Sequence, residues 1–168
     1  IPSILNTASG FASRGLDSSF AAAYYPDITI TDPTEGGTVT APPSVGVMGV
    51  MAQNDKLGRP WFAPAGYTRG KLDPSIDGTS LSLERADLNR LYEVNINPLV
   101  SFAGENNSVV WGQKTLQANA SALDRINVRR LLIDVRRKVK NIANSLLFEP
   151  NRQETLDKFN ALVKPVMQ

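Results

Sequence analysis

Hydrophobic residues recur every three or four positions between residues 124 and 151, which read DRINVRRLLIDVRRKVKNIANSLLFEPN. At about 100° per residue, this spacing gathers them on one side of a helix, in a stripe wide enough to face a core. The pattern therefore predicts a long amphipathic helix that Pro150 ends. Its predicted core positions are Val128, Leu132, Val135, Val139, Ile142 and Leu146.

The first part of the chain alternates apolar and polar residues instead. Ile28 and Ile30 mark a half-buried strand, and a turn at Gly36 and Gly37 precedes a second extended piece around Val39. Alternation on both sides of a glycine turn is typical of a β-hairpin. We therefore expect these two strands to pair.

Small residues dominate the next stretch, VGVMGVMAQNDKLG, which follows two prolines. We predict a helix there with Ser44 as its N-cap, in which Gly46 and Gly49 let another backbone approach closely. A second helix, SLERADLNRLYEV, is predicted with Ser82 as its N-cap.

Two extended pieces, NPLVSFAG and SVVWGQKTL, flank the turn-prone GENNS and predict an antiparallel pair. A final amphipathic helix is expected from about Arg152 to Val163. Short strands mixed with helices favour the α+β class. We predict a small mixed or antiparallel sheet packed with several helices, including the long basic helix near the C-terminus.

Composition removes much catalytic chemistry. The 168 residues contain no cysteine and no histidine, and the formal net charge is only +2. Disulfides, thiolate metal sites and histidine-assisted nucleophiles therefore have no residues to use. No apolar run approaches the length of a membrane span. Carboxylate, lysine and tyrosine chemistry remains possible, but we assign no catalytic, cofactor-binding or metal-binding residue.

Charge is concentrated on the long helix, which carries seven basic residues between Arg125 and Lys140 against Asp134 alone. Two Arg-Arg pairs, at 129–130 and 136–137, stand a heptad apart and present the same face twice, about 10 Å apart. An isoleucine set among these cations suggests a docking surface for an acidic partner. The contact candidates are Arg129, Arg130, Ile133, Arg136, Arg137 and Lys140. The alternative is an ordinary solvated face of the helix.

Several short segments of the sequence resemble those of one family, the contractile tail sheath proteins of myophages and related injection machines. They are INVRRLL and LLFEPN of the long helix, VVWGQKTL before it, and the upstream segments FAAAYYPD and PPSVGVMGVMAQNDKLGRPWFAPAGYTRG. The four matched regions follow the family's order and cover nearly the whole chain.

This resemblance implies a structural virion protein, not an enzyme, that polymerises around the tail tube and contracts to drive the tube through the host envelope during genome ejection. It implies neighbouring sheath subunits in a helical stack of hexameric rings, the tail tube protein, the baseplate and the tail terminator as partners, with no direct nucleic acid and no membrane. The expected location is the virion tail, assembled in the host cytoplasm.

The resemblance also divides the chain. Residues 1–26 correspond to the tail of a preceding sheath domain, and residues 27–168 to the inner, tube-facing domain without its C-terminal strands and arm. Without those strands, NPLVSFAG or SVVWGQKTL is expected to leave an unpaired sheet edge. On this reading, the basic helix meets an acidic outer surface of the tube.

Two other functions stay open at this point. The runner-up is a nucleic-acid-binding module that uses the arginine-rich helix. It calls for stacking or base-contacting residues beside the cations, whereas the aromatic residues lie elsewhere in the sequence. The third is an enzyme that uses carboxylates and lysine, and it requires Lys71, Asp73 and Asp77 to converge in a pocket.

Overall fold

The computed structural model describes residues 4–32, 34–57, 60–102 and 108–167, and in these residues the chain is α+β, as predicted. The helices are α1 (Ile4–Ala12), α2 (Pro43–Lys56), α3 (Gly66–Arg69), α4 (Arg85–Glu93), α5 (Ile126–Asn144) and α6 (Gln153–Met167). The strands are β1 (Ala23–Tyr25), β2 (Ile28–Thr31), β3 (Thr38–Ala41), β4 (Ile76–Thr79), β5 (Ile96–Val100) and β6 (Val109–Val110).

The chain divides into two compact units, residues 1–129 and residues 130–168, and the division falls inside α5. Both described sheets lie in the first unit. The second unit consists of the rest of α5, a turn and α6. Strand β1 pairs with β5 in register from Ala23↔Ile96 onwards and so belongs to the first unit. Assignment of residues 1–26 to a preceding sheath domain stays a prediction.

The predicted hairpin is confirmed. Strands β2 and β3 pair antiparallel from Ile28↔Ala41 to Thr31↔Thr38, and β4 adds to the other side of β2. The hairpin therefore forms two strands of a three-stranded antiparallel sheet of order β3-β2-β4.

The second sheet has the order β1-β5-β6 and is mixed, because β5 is parallel to β1 and antiparallel to β6. The predicted antiparallel pair is confirmed at Leu99↔Val110, while residues 103–107 of the turn between its strands lie outside the described residues. The expected free edge at NPLVSFAG is wrong, because β5 is the central strand. At SVVWGQKTL, β6 has a further contact, in which the Val110 N–H donates to the Gly70 carbonyl.

Both sheets contribute to one hydrophobic core in the first unit. Its buried members are Ile28, Val47, Val50, Leu72, Ile76, Leu99 and Val110. Helix α2 packs there through Gly46, where an added Cβ would lie 3.0 Å from Ile76 Cδ1. The predicted approach of another backbone is therefore not observed at Gly46, where the close neighbours are core side chains. At Gly49 the prediction is wrong, because an added Cβ would meet nothing within 4 Å.

Two predicted helix starts differ from the structure. Helix α2 begins at Pro43 with Pro42 as its N-cap and no side-chain cap, so Ser44 already lies in the first turn. Helix α4 begins after Glu84, which forms a capping box with Asp87, rather than after Ser82. A reciprocal carboxylate box satisfies two orphan backbone donors at once and therefore outcompetes a single serine.

The apolar stripe of α5 is less buried than its pattern predicts. Leu132 is 44% exposed, and the other five predicted core positions are half-buried rather than buried. A unit made of little more than two helices has too small an interior to enclose a wide stripe. Helix α5 also ends at Asn144, six residues before Pro150, in a turn where Phe148 adopts a left-handed backbone with φ of 71°.

Candidate docking surface on helix α5

The first turn of α5 is fixed to the first unit by backbone contacts. Arg125 forms an isolated antiparallel bridge with Lys114, and the Ile126 N–H donates to the Gln113 carbonyl over 2.8 Å. Ile126 itself is buried. These contacts determine where α5 begins and anchor the start of the basic helix.

Arg129 makes two side-chain contacts within the first unit. Its guanidinium carbon lies 4.1 Å from the centroid of the Phe20 ring, and its Nη2 donates to Ser19 Oγ. A guanidinium stacked on an aromatic face and hydrogen-bonded at the same time is held in one orientation. Arg129 is therefore half-buried and serves packing, which the helical pattern alone did not indicate.

Asp134 is the acidic residue of α5, and it is 7% exposed. Its Oδ1 accepts from Arg137 Nη2 at 2.8 Å, and its Oδ2 lies 2.8 Å from Lys138 Nζ. The hydrogen bond from Lys138 lowers the pKa of Asp134 below its ordinary value, burial opposes this, and the charges of Lys138 and Arg137 add to the lowering. The carboxylate is therefore ionised at neutral pH with a cation on each oxygen.

Three of the six contact candidates stand on the open side of α5. Ile133 is 49% exposed, and the side chains of Arg136 and Lys140 are exposed as well. At 100° per residue these three positions share one side of the helix, and Arg136 and Lys140 are one turn, about 6 Å, apart along its axis. Within the described part of the chain, neither cation has an ion pair or hydrogen bond. We call Ile133, Arg136 and Lys140 the open line.

The structure thus separates residues that the sequence grouped together. Arg129 packs on Phe20, and Arg137 pairs with Asp134. Arg130 is half-buried. The other three candidates form the open line. Sequence reasoning missed the part that Asp134 plays. The signal was available, because Arg137 and Lys138 follow Asp134 at the i+3 and i+4 spacings at which helical ion pairs form.

The carboxylates considered for catalysis do not converge. Asp73 Oδ1 accepts from the backbone N–H and hydroxyl of Ser75, which lowers the pKa of Asp73, whereas Asp77 Oδ2 accepts from the Thr31 hydroxyl. Lys71 lies in a bridge with Val109. A cavity of about 280 Å³ lies elsewhere, and its lining includes Phe11, Leu16 and Leu116 but none of these three residues.

The described residues contain neither a metal-binding cluster nor a membrane-spanning helix. No group of three or more acidic side chains there is arranged to hold a metal ion. Among those same residues, no helix is both long and apolar enough to cross a bilayer.

Comparison with known proteins identifies relatives, although no family model matches the chain. The tail sheath protein of Vibrio phage KVP40 is 38% identical over 115 residues, which is 68% of this chain and 17% of that protein. The tail sheath protein of Enterobacteria phage T4 is 31% identical over 127 residues, 76% of this chain and 19% of that protein. The chain thus spans about a fifth of the length of these relatives.

A solved structure agrees with these sequence matches. The sheath complex of an extracellular contractile injection system, PVC, in its contracted state superposes with a TM-score of 0.80 and 28% identity. The match covers 95% of this chain and 43% of that chain, so it includes both sheets and the basic helix. Over the residues matched, this chain belongs to the contractile tail sheath proteins.

Proposed function

We propose that the chain is part of a structural subunit of a contractile tail sheath. The subunit polymerises with its neighbours around the tail tube and contracts to drive the tube through the host envelope during genome ejection. Support comes from two phage tail sheath proteins at 38% and 31% identity and from the PVC sheath complex at a TM-score of 0.80. The role is mechanical, without catalysis, and its place is the virion tail.

The open line is the tube contact in this proposal. Ile133, Arg136 and Lys140 are exposed on one side of α5, and the two cations have no partner among the described residues. Arg129 is not part of this contact, because its guanidinium is engaged with Phe20 and Ser19. Unpaired cations next to an exposed isoleucine fit an acidic surface with an apolar spot, which we assign to the outside of the tube.

Weak individual contacts suit this role. An exposed ion pair contributes about 0.2–1 kcal/mol and is screened by salt. One subunit therefore binds the tube loosely, whereas many subunits in a stack bind it firmly through multivalency. Contraction can then release the tube without breaking any strong single contact. Baseplate and tail terminator are the remaining partners in the proposal, by the pattern of the family.

The observation that carries the contact assignment is the unpaired, exposed state of Arg136 and Lys140, and charge reversal tests it. In the whole protein, Arg136→Glu with Lys140→Glu should assemble into sheaths that no longer enclose tubes in negative-stain electron micrographs. The matched control is Lys158→Glu with Lys164→Glu, which reverses two exposed lysines of α6 and changes the net charge equally. Tubes enclosed normally by the Arg136 and Lys140 variant would refute the assignment.

One observation favours the nucleic-acid alternative: Phe20 provides an aromatic ring beside Arg129, although that ring already stacks with the guanidinium. The same preparation discriminates between the two functions. Striated cylinders or sleeves around tubes support the sheath. Dispersed monomers that retard DNA in a gel at low salt, and release it steeply as salt rises, would support a nucleic-acid module instead.

A further inference from the structure

The adjacent arginines of α5 differ in one respect that exposure does not explain. The side chain of Arg137 is 72% exposed and that of Lys138 is 46% exposed, so a partner can reach both. Both are nevertheless bound to Asp134, whose side chain is only 8% exposed. Arg136, next to Arg137, has no such partner in the described residues. Pairing, rather than burial, therefore distinguishes the two arginines.

A partner that recruits Arg137 or Lys138 must first take that cation from Asp134. The carboxylate would then keep its charge in a nearly buried position with one counter-charge fewer, which is strongly unfavourable. Arg136 and Lys140 carry no such cost when they meet an external carboxylate.

Resting on the tube contact proposed above, we infer that Asp134 is a specificity-determining residue that acts as an internal competitor for the cations of α5. It withholds Arg137 and Lys138 from any acidic partner and leaves only the open line to bind. The partner surface that fits is an acidic protein face with carboxylates about one helical turn, or roughly 6 Å, apart and an apolar spot for Ile133. The number of cations that bind, and hence the strength of each subunit's contact, is then set within α5.

Neighbouring arginines give a matched test. In the whole protein, Arg136→Gln and Arg137→Gln remove the same charge from adjacent exposed positions. We measure co-sedimentation with tubes assembled from the tail tube protein of the same particle, and separately binding to poly-L-glutamate. Arg136→Gln should weaken both by up to about fivefold, the range of one exposed ion pair, while Arg137→Gln leaves both unchanged.

Asp134→Asn is the converse variant, since it keeps the size of the side chain and removes its charge. It should tighten binding to poly-L-glutamate, again by up to about fivefold for each cation released, and make that binding depend more steeply on salt. The triple variant Asp134→Asn, Arg137→Gln, Lys138→Gln should return to the wild-type affinity. If Asp134→Asn does not fold, as judged by circular dichroism, the arginine pair still decides the question.

The outcomes separate the two proposals. Equal weakening by Arg136→Gln and Arg137→Gln would overturn the role of Asp134 and leave the tube contact standing. In a second outcome, Arg136→Gln weakens binding to poly-L-glutamate, Arg137→Gln does not, and Arg136→Gln leaves tube binding unchanged. That outcome would overturn the tube contact and leave the role of Asp134 standing. No effect of either variant on either probe would overturn both.

Discussion

At the scale of single residues, Asn97 is a buried polar group that holds the mixed sheet together. It is 1% exposed, and its Nδ2 donates to the carbonyls of Ala23 at 3.1 Å and Lys114 at 2.8 Å. Its Oδ1 accepts from the Lys114 N–H at 2.6 Å. One side chain thus joins β5 to β1 and to the segment that leads into α5. Gly112 completes the site, because a Cβ there would lie 2.7 Å from Asn97 Oδ1.

We expect Asn97→Ala to lower the free energy of unfolding by about 2–4 kcal/mol, because backbone groups of two segments lose their hydrogen-bond partner inside the protein. Urea unfolding measures the change. Asn119→Ala, at an exposed asparagine, is the control and should change the stability by no more than about 0.5 kcal/mol. Equal effects of the two substitutions would contradict the role of Asn97.

At the scale of elements, helices α2 and α5 show how one pattern serves different ends. Helix α2 buries only one narrow side, which includes Gly46, Val47 and Val50. A side chain would therefore crowd the core at Gly46 but not at Gly49. Helix α5 carries a wide apolar stripe, but its fully buried residues are Ile126 at the start and Asp134 in the middle. A helical period therefore indicates a face without indicating how deeply that face is buried.

The two glycines of α2 give a paired prediction. Gly49→Ala should stabilise the protein by up to about 1 kcal/mol, because alanine has the higher helix propensity and meets nothing within 4 Å. Gly46→Ala should not stabilise it, because the new methyl would lie 3.0–3.3 Å from the core side chains of Ile76, Leu72 and Ile28. Thermal unfolding followed by circular dichroism compares them. A stabilising Gly46→Ala would show that the core has room there.

At the scale of the whole molecule, charge and packing are distributed differently between the two units. The hydrophobic core lies in the first unit. Arg136, Lys140 and the ion pairs of Asp134 with Arg137 and Lys138 lie in the second. The net charge of +2 leaves the basic face of α5 as a local feature rather than part of a general positive field. Assembly contacts based on that face should therefore respond to salt, and the fold should not.

We predict that raising the salt concentration from about 0.1 M to about 1 M releases tubes from sheaths, because the screening length falls from about 10 Å to about 3 Å. The midpoint of urea unfolding should not fall over the same range, since the core is apolar. Pelleting of tubes with sheaths, beside an unfolding curve at each salt concentration, makes the comparison. Tube retention that ignores salt would mean that Ile133 and other apolar contacts dominate.

Local pattern was sufficient for much of the fold. Alternation at Ile28 and Ile30 with a glycine turn specified the β2–β3 hairpin, because a two-residue period and a turn are both properties of adjacent residues. The same holds for the β5–β6 pair and for the existence of α5. The matched sequence segments also indicated the family from local information, since a match depends on residue order and not on any tertiary contact.

Contacts between distant residues decided the rest. Strand β5 is central because it pairs with β1, which lies more than seventy positions earlier in the chain. The alternation of apolar and polar residues within a strand does not indicate which distant strand is its parallel partner. Arg129 and Arg136 are equivalent on a helical projection, yet only Arg129 meets Phe20, because that ring is brought there by the fold. Sequence by itself determined the β2–β3 hairpin, the β5–β6 pair and which helix is basic. Tertiary structure decided which cations remain open, because a charge is available to a partner only where the fold has not already paired it.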